Sequence, residues 1–312
     1  LDIARKSQAQ YSPDQIIVSP GAKQAILMAL MTLLNPGEEV LTFEPCWHSY
    51  KAMIYLALGE YKAFPVFERN AMAKNKEQIE KLITTKTKVL IINNPQNPTG
   101  VVWSREDLQA ITDLAKKHDL WIIADETYDA IIFDDYEMIS LCSFKEIYDK
   151  VILINGFSKT YAMTGLRIGY LAGPLDFISQ ASKIQEHSAT CASSLSQYAA
   201  LGALSPKTNQ YVETMRIEYE KRRDLVYQGF NNNFISFVKP QGTFYAFLNI
   251  KKLNMSSIQA AEFFLSKAKI ASVPGTAFGN SGEGFLRISF AKSSDLLEKA
   301  VKQLNQALYE IS

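Results

Sequence analysis

One segment of the sequence combines a lysine and an arginine with several small residues. It spans residues 155–169 and reads Asn-Gly-Phe-Ser-Lys-Thr-Tyr-Ala-Met-Thr-Gly-Leu-Arg-Ile-Gly, with Lys159 and Arg167 eight positions apart. An apolar run at residues 151–154 precedes it and is typical of a buried strand, and a second apolar run follows at residues 168–172. The pattern places a lysine just after a buried strand, with an arginine close by.

A lysine in such a setting can act as a nucleophile, because burial disfavours its charged form. The neutral amine can form a Schiff base with a carbonyl group, and a fixed arginine can bind a phosphate through two parallel hydrogen bonds. An aldehyde that also carries a phosphate describes pyridoxal phosphate, whose sites pair a Schiff-base lysine with an acidic partner for the ring nitrogen. The simpler alternative is a surface turn with two solvated cations, and the segment alone favours neither.

Polar side chains follow two other predicted strands. Asp125 comes directly after the apolar run 120–124, at the strand end where open α/β sheets place their ligands. Tyr128 lies in the same turn, so both side chains can reach one ligand, with Asp125 holding a protonated ring nitrogen. Asn97 lies in a turn rich in Asn and Pro, residues 93–100. The simpler explanations are an Asp that caps the next turn and an ordinary Asn-Pro turn.

The first predicted helix begins after a turn of small residues, 19–21, whose helix N–H groups can receive an anion. Lys23 stands in the first turn of this helix, where the helix dipole disfavours a cation, so its presence there supports an anion site. The simpler and commoner explanation is a plain strand-to-helix turn. Trp47 follows the strand at residues 40–43 and can stack on a flat ring, although such a residue more often packs at a core or rim. His48 has no partner at ligand spacing, and we predict a structural role for it.

The composition argues against several classes of protein. The chain has 312 residues, 47% hydrophobic and 21% charged, and its 33 basic and 32 acidic residues leave a net charge of +1. No basic stripe points to nucleic acid or to a membrane surface, and no apolar run is long enough to span a bilayer. The three cysteines are an odd number without metal-ligand spacing. This favours a reducing compartment such as the cytoplasm, no disulfide framework and no metal site.

Strands and helices alternate through the first two thirds of the chain. This alternation predicts an α/β three-layer sandwich with a mostly parallel central sheet covered on both faces. The remainder predicts a smaller α+β domain. We place the domains at residues 1–205 and 206–312, with the boundary inside a long helix near residues 207–230. Residues 1–10 are predicted to end a helix, and residues 235–238 to form a short strand.

Taken in order, these motifs resemble those of class I and II aminotransferases, fold type I pyridoxal-phosphate enzymes, in their prokaryotic aspartate and aromatic subgroup. The lysine segment fits the family's cofactor-attachment pattern, and Asn97 lies in its Asn-Pro-Thr-Gly turn. Asp125 and Tyr128 match its Asp-x-x-Tyr motif. Arg287, in Gly-Phe-Leu-Arg-Ile-Ser at residues 284–289, matches its carboxylate-binding arginine. Each motif alone is weak, but together they cover the whole chain in collinear order.

The resemblance implies a role for each residue. Lys159 forms the Schiff base and later moves a proton between the substrate α-carbon and the cofactor. Asp125 pairs with the ring nitrogen, Tyr128 and Asn97 bind the ring's 3′-oxygen, and Arg287 binds the substrate α-carboxylate. The other cofactor-binding residues are Gly21, Ala22, Lys23, Trp47, Ser158 and Arg167. The substrate-binding residues are Lys23, Trp47, Asn97 and Arg287.

The implied activity is transfer of an amino group from an L-amino acid to a 2-oxo acid by a ping-pong mechanism, in a homodimer. A lysine at the position of Lys23 is similar to one that reaches the distal carboxylate of dicarboxylic substrates, which favours aspartate or glutamate with 2-oxoglutarate. If Lys23 contacts only phosphate or solvent, aromatic amino acids are equally compatible. The alternatives are a lyase that eliminates at the β-carbon or cleaves C–S bonds, a non-catalytic binding module and an inactive fragment.

The sequence departs from the family pattern in two places. The family carries several dozen residues before the point where this sequence begins, including a loop that closes over the substrate and a tyrosine that reaches the partner's cofactor phosphate. The lack of this region is expected to impair activity. The family also often has serine where Gly156 stands, so we expect one phosphate contact to be missing.

Overall fold

A computed structural model describes residues 9–310, and its larger sheet has seven strands in the order β1-β7-β6-β5-β4-β2-β3. These strands are β1 (Ile16–Ser19), β2 (Glu39–Glu44), β3 (Glu60–Pro65), β4 (Thr87–Asn93), β5 (Trp121–Asp125), β6 (Val151–Gly156) and β7 (Gly169–Ala172). Neighbouring strands are parallel except where β7 pairs with β1 and β6. The predicted mostly parallel central sheet is therefore confirmed.

Helices pack against both faces of this sheet. They are α1 (Ala22–Leu33), α2 (Ser49–Leu56), α3 (Ala71–Lys74), α4 (Lys76–Glu80), α5 (Arg105–Lys117), α6 (Phe157–Thr160), α7 (Leu175–Ser188) and α8 (Ser194–Ala203). Along β4, Leu90 packs in one hydrophobic cluster with Leu108 of α5, while Ile91 packs in another with Ile26 of α1. Because both faces are covered, the central strands are continuous apolar runs, which is why the sequence revealed them.

The rest of the chain forms a smaller sheet with its own helices. The elements are α9 (Asn209–Phe230), β8 (Tyr245–Asn249), α10 (Ser257–Ala268), β9 (Val273–Pro274), β10 (Phe285–Ser289) and α11 (Ser294–Tyr309). The sheet is antiparallel, in the order β8-β10-β9. Its core also receives Tyr128, Ile131 and Phe133 from the segment after β5, which ties it to the larger sheet. The exact domain boundary stays a prediction.

One predicted strand is wrong. Of residues 235–238, only Ser236 makes a bridge, with Asn249. The Asn232 side chain accepts hydrogen bonds from the backbone N–H groups of Phe234 and Ile235 at 2.9 and 3.0 Å, which bends the chain just before this stretch. The helix end predicted at residues 1–10 falls mainly on residues 1–8, which lie outside the described part of the chain.

The parallel strands bring their carboxyl ends to one edge of the larger sheet. Asn93, the last residue of β4, pairs with Asp125, the last residue of β5, and Asp125 pairs with Ile154 of β6. The turns that follow these strands carry the candidate chemical groups, so the sheet register brings together residues that are far apart in sequence. Within residues 9–310, no helix is long and apolar enough to cross a membrane, and no acidic, His or Cys cluster is suited to a metal.

Candidate active site

A cavity of about 570 Å³ opens at this edge, between the two sheets. The structure places every predicted site residue on its wall except Gly21, which lies behind Arg167. The lining residues that the sequence did not single out as ligand contacts are His48, Tyr50, Asn93, Gly156, Thr127, Thr164 and Tyr245. Tyr50 and Thr127 lie within three residues of Trp47 and Asp125, whereas Tyr245 is placed by the smaller sheet and has no local sequence signal.

Lys159 projects into the cavity from α6, directly after β6. Its Nζ atom lies 5.2 Å from the ring centre of Phe244 and 5.7 Å from that of Tyr128. Burial lowers the pKa of Lys159, and the positive charges of Arg287 and Arg167 lower it further, while Asp125 acts in the opposite direction. The amine therefore loses its proton more readily than an exposed lysine, as a nucleophile or base requires.

Asp125 is 4% exposed and points into the cavity from the end of β5. Its Oδ2 atom accepts a hydrogen bond from the Tyr50 hydroxyl, and Oδ1 accepts one from Thr127 Oγ1 at 2.9 Å. Burial raises the pKa of Asp125, and the hydrogen bonds from Tyr50 and Thr127 oppose this rise. A cationic ligand atom beside Asp125 would stabilise the carboxylate in the same way.

Tyr128 is a buried phenol on the cavity wall. Burial and the neighbouring Tyr245 raise the pKa of Tyr128 well above its ordinary value. Tyr128 therefore stays protonated and can donate a hydrogen bond to an oxygen of a ligand.

The start of α1 and the Arg167 guanidinium form one corner of the cavity. Gly21 has a φ of +88°, and a Cβ atom there would lie 2.4 Å from Arg167 Nη2. Arg167 Nη1 donates to the Thr164 carbonyl oxygen at 3.2 Å. The first N–H groups of a helix lack acceptors within the helix, so this corner suits a phosphate. Ala22 and Ser158 complete its lining.

Arg287 reaches the cavity from β10 of the smaller sheet. Its guanidinium carbon lies 4.2 Å from the ring centre of Tyr245 and 4.7 Å from that of Phe278, and Nη1 donates to Asn97 Oδ1 at 3.1 Å. Asn97 is held in turn by its own N–H, which donates to Asn93 Oδ1 at 2.7 Å. The fork of Arg287 is thus fixed in a geometry that suits a carboxylate, and the Asn97 amide nitrogen is left to donate to a ligand.

Lys23, Trp47 and His48 line the mouth of the cavity. Lys23 Nζ lies 4.9 Å from the Trp47 ring centre, and the Trp47 ring makes an edge contact with Tyr50. His48, for which the sequence predicted a structural role, also lines the cavity, and that role stays a prediction. Burial lowers the pKa of His48, and the positive charges of Arg287 and Lys23 lower it further.

Comparisons with known proteins agree with this geometry. The family model described as Aminotransferase class I and II matches residues 2–304. The chain is 43% identical over 310 residues to an aspartate aminotransferase of Pyrococcus abyssi, covering 99% of this chain and 80% of that protein. It is 42% identical over 297 residues to aromatic-amino-acid aminotransferase 2 of Thermococcus litoralis, covering 95% and 76%. The solved aromatic aminotransferase of Pyrococcus horikoshii superposes with a TM-score of 0.94 at 38% identity, covering 99% and 83%.

The fold, the cavity and these matches define the class, and the chain belongs to the family of class I and II aminotransferases. It is a pyridoxal-phosphate-dependent aminotransferase, an enzyme whose substrates are amino acids and 2-oxo acids.

The residues of the cavity fit pyridoxal phosphate. Because Gly21 has no Cβ atom, the Arg167 guanidinium can lie directly against the start of α1, which brings a fixed cation beside the free N–H groups of that helix. Asp125 supplies a buried carboxylate for the ring nitrogen, and Lys159 supplies an amine that readily loses its proton. When bound, the cofactor supplies a carbonyl that captures the substrate amine and a ring that accepts the electrons of the α-carbon.

Proposed function

We propose that this enzyme transfers the amino group of a dicarboxylic amino acid, aspartate or glutamate, to a 2-oxo acid such as 2-oxoglutarate. The observation that carries the proposal is the presence of two separate cations, Arg287 and Lys23, on the wall of the cavity that holds Lys159. One cation can bind the α-carboxylate, and the other is available for the distal carboxylate. The Pyrococcus abyssi relative, which is named an aspartate aminotransferase, supports the same substrate class.

We infer that Lys159 holds and returns the proton of the substrate α-carbon, which its lowered pKa supports. Asp125 holds the ring nitrogen, Tyr128 and Asn97 donate to the ring oxygen, and Arg287 orients the α-carboxylate. The phosphate is assigned to Arg167, Ser158 and the backbone at Gly21, Ala22 and Lys23. Trp47 is assigned to stacking on the ring. In a ping-pong cycle the same residues act twice, first on the amino acid and then on the 2-oxo acid.

Aromatic amino acids are the second candidate substrates. The Thermococcus litoralis relative is named an aromatic-amino-acid aminotransferase. The aromatic rings of Tyr245 and Phe278 lie against the Arg287 guanidinium, and Lys23 can turn toward solvent. The two candidates differ in whether Lys23 faces the substrate.

We infer that the enzyme is a homodimer. A groove of about 510 Å³ lies beside β1 and α8, lined largely by apolar residues. On α8, Leu195, Tyr198 and Leu201 are 81%, 75% and 65% exposed. Large exposed apolar surfaces of this kind mark interaction sites, and a second copy of the chain would cover them. Sedimentation of the wild type and of the double variant with Tyr198→Glu and Leu201→Glu tests this, with a shift to monomer expected.

We also infer a cytoplasmic location. Cys46 and Cys142 are buried and free, and Cys191 is exposed and free. Free thiols of this kind are typical of a reducing compartment.

The experiment that tests the substrate class uses the purified chain with pyridoxal phosphate. Oxaloacetate formation from aspartate and 2-oxoglutarate is compared with turnover of phenylalanine and with release of ammonia without a 2-oxo acid. We expect a kcat/KM for aspartate well above that for phenylalanine and no release of ammonia. Lys159→Ala is the control that loses all transfer. Preference for phenylalanine would assign the aromatic class, and release of ammonia would identify a lyase.

A further inference from the structure

A row of contacts crosses the mouth of the active-site cavity from Lys23 to Arg287. Lys23 Nζ lies 4.9 Å from the Trp47 ring centre, and the Trp47 and His48 rings meet edge-on with centres 6.0 Å apart. The His48 ring then meets that of Phe278 edge-on at 6.4 Å, and Phe278 lies 4.7 Å from the Arg287 guanidinium carbon. The row therefore has a cation at each end and an imidazole in the middle.

The His48 side chain is exposed and has no hydrogen-bond partner among residues 9–310. It stands at the cap position before α2, and its side chain does not accept a bond from the first turn of that helix. Its two ring contacts, to Trp47 and Phe278, are edge-on ring contacts and not hydrogen bonds. Both ring nitrogens are therefore available to a ligand in the cavity, whose wall His48 forms.

We propose that His48 is a specificity-determining residue that donates a hydrogen bond to the distal carboxylate of a dicarboxylic substrate, together with Lys23. This inference rests on the proposed function. In the row of contacts His48 lies between Arg287 and Lys23, so a substrate that places its α-carboxylate on Arg287 and its distal carboxylate toward Lys23 would bring the distal carboxylate near His48. An imidazole always carries at least one N–H donor, whereas Lys23 is also engaged with the face of Trp47.

The charges around His48 fit this role. The charged groups that act on it are Lys23 of α1 and Arg287 of β10. Both are positive, so they disfavour a second proton on the ring in the empty cavity, and a neutral imidazole offers one directed donor. A carboxylate bound between Lys23 and His48 would satisfy this donor and would also offset the mutual repulsion of the positive groups.

The competing reading is that His48 only packs, presenting a flat ring to Trp47 and Phe278. His48→Phe separates the two, because phenylalanine keeps a flat ring of similar size without either nitrogen. His48→Asn is the matched variant that keeps a neutral N–H donor. We would measure kcat and KM for aspartate and for alanine, which lacks a distal carboxylate, at saturating pyridoxal phosphate, and confirm folding of each variant by thermal melting.

We expect His48→Phe to lower the ratio of kcat/KM for aspartate to that for alanine by about 5- to 30-fold, mainly through KM. His48→Asn should recover most of that ratio. Equal losses for both substrates in His48→Phe, or a loss that His48→Asn does not recover, would overturn the role while leaving the substrate class intact. A wild type that turns over alanine or phenylalanine but ignores aspartate would overturn the proposed substrate class itself, and this role with it.

Discussion

Thr160 Oγ1 donates a hydrogen bond to Asp129 Oδ1 at 3.0 Å, joining α6, which carries Lys159, to the segment that follows Asp125 and carries Tyr128. The other carboxylate oxygen, Oδ2, accepts from Asn155 Nδ2 at 3.0 Å. Thr160 is 2% exposed, so its hydroxyl lies where an unpaired polar group is costly. One carboxylate thus fixes Lys159 relative to the residues assigned to the cofactor ring.

Replacing Thr160 with valine removes this hydroxyl at nearly constant volume. We expect kcat to fall about tenfold with little change in KM, because a displaced Lys159 impairs proton transfer more than binding. The free energy of unfolding should fall by about 1 kcal/mol. Thr160→Ser, which keeps the hydroxyl, is the control and should recover kcat. An equal loss of kcat in both variants would show that the loss does not depend on the hydroxyl and its link with Asp129.

The corner of the cavity formed by the start of α1 and Arg167 depends on the absence of a side chain at Gly21. We expect Gly21→Ala to raise the dissociation constant for pyridoxal phosphate at least tenfold, because its Cβ would lie 2.4 Å from Arg167 Nη2 and displace the guanidinium. Gly37→Ala is the matched control: its φ is +80°, but its Cβ would meet no atom of residues 9–310 within 4 Å. Both variants carry backbone strain, of about 1–3 kcal/mol, because both positions have a positive φ. Titration of the cofactor should separate them, and equal affinities would refute the clash.

The cavity was predictable from the sequence because its residues adjoin strong local signals. Asp125 and Lys159 follow continuous apolar runs, and parallel strands buried on both faces produce such runs. His48 and Tyr50 stand near Trp47, but only the orientation of α2 toward the cavity distinguishes them from core residues. Tyr245 reaches the site through the pairing of β8 with β10, a long-range register that a single sequence does not encode locally.

Strand β3 was not predicted from the sequence, and one predicted strand is wrong, and both errors have a structural explanation. Strand β3 lies at the edge of the larger sheet, carries Glu60, Lys62 and Pro65, and is mostly half-exposed, so it lacks the apolar run of a central strand. Residues 235–238 show the opposite case, an apolar run that does not form a strand. Ile235 and Phe237 pack in the core beside α9, but Asn232 accepts the backbone N–H groups of Phe234 and Ile235, where the strand would begin.

Glu126 should make stability depend on pH. Burial raises its pKa to about 8, with Asp129 and Asp125 adding to the rise, while hydrogen bonds from Ser140 and Leu141 oppose it. The pKa of Glu126 in the folded protein lies above its value in the unfolded chain. The free energy of unfolding is therefore highest when Glu126 is protonated in both states, below about pH 4.5, and falls as the pH rises to about 8. Across that range, the wild type should lose roughly 1.4 kcal/mol per pH unit relative to Glu126→Gln, whose amide stays neutral.

Denaturant unfolding at pH 5, 6.5 and 8 measures this difference, since other titrating groups are shared by the two proteins and cancel. Glu68→Gln, at an exposed position, is the control and should give a profile parallel to that of the wild type. Parallel profiles for the wild type and Glu126→Gln would show that Glu126 does not titrate in this range.

Glu44 fastens the larger sheet to the loop that supports Arg287. Its Oε1 accepts from the Tyr61 hydroxyl at 2.9 Å, and Oε2 accepts from the backbone N–H and hydroxyl of Ser281 at 3.2 and 3.1 Å. Glu44→Ala removes the acceptor of these three hydrogen bonds, so we expect the free energy of unfolding to fall by about 2–4 kcal/mol. Because the same loop carries Phe278, which packs on Arg287, KM for the amino acid should rise while the affinity for pyridoxal phosphate changes little.

Ser281→Ala, which removes one of the three bonds, should give a smaller change in the same direction. A rise in KM without loss of stability, or the reverse, would contradict a link between the two through this loop.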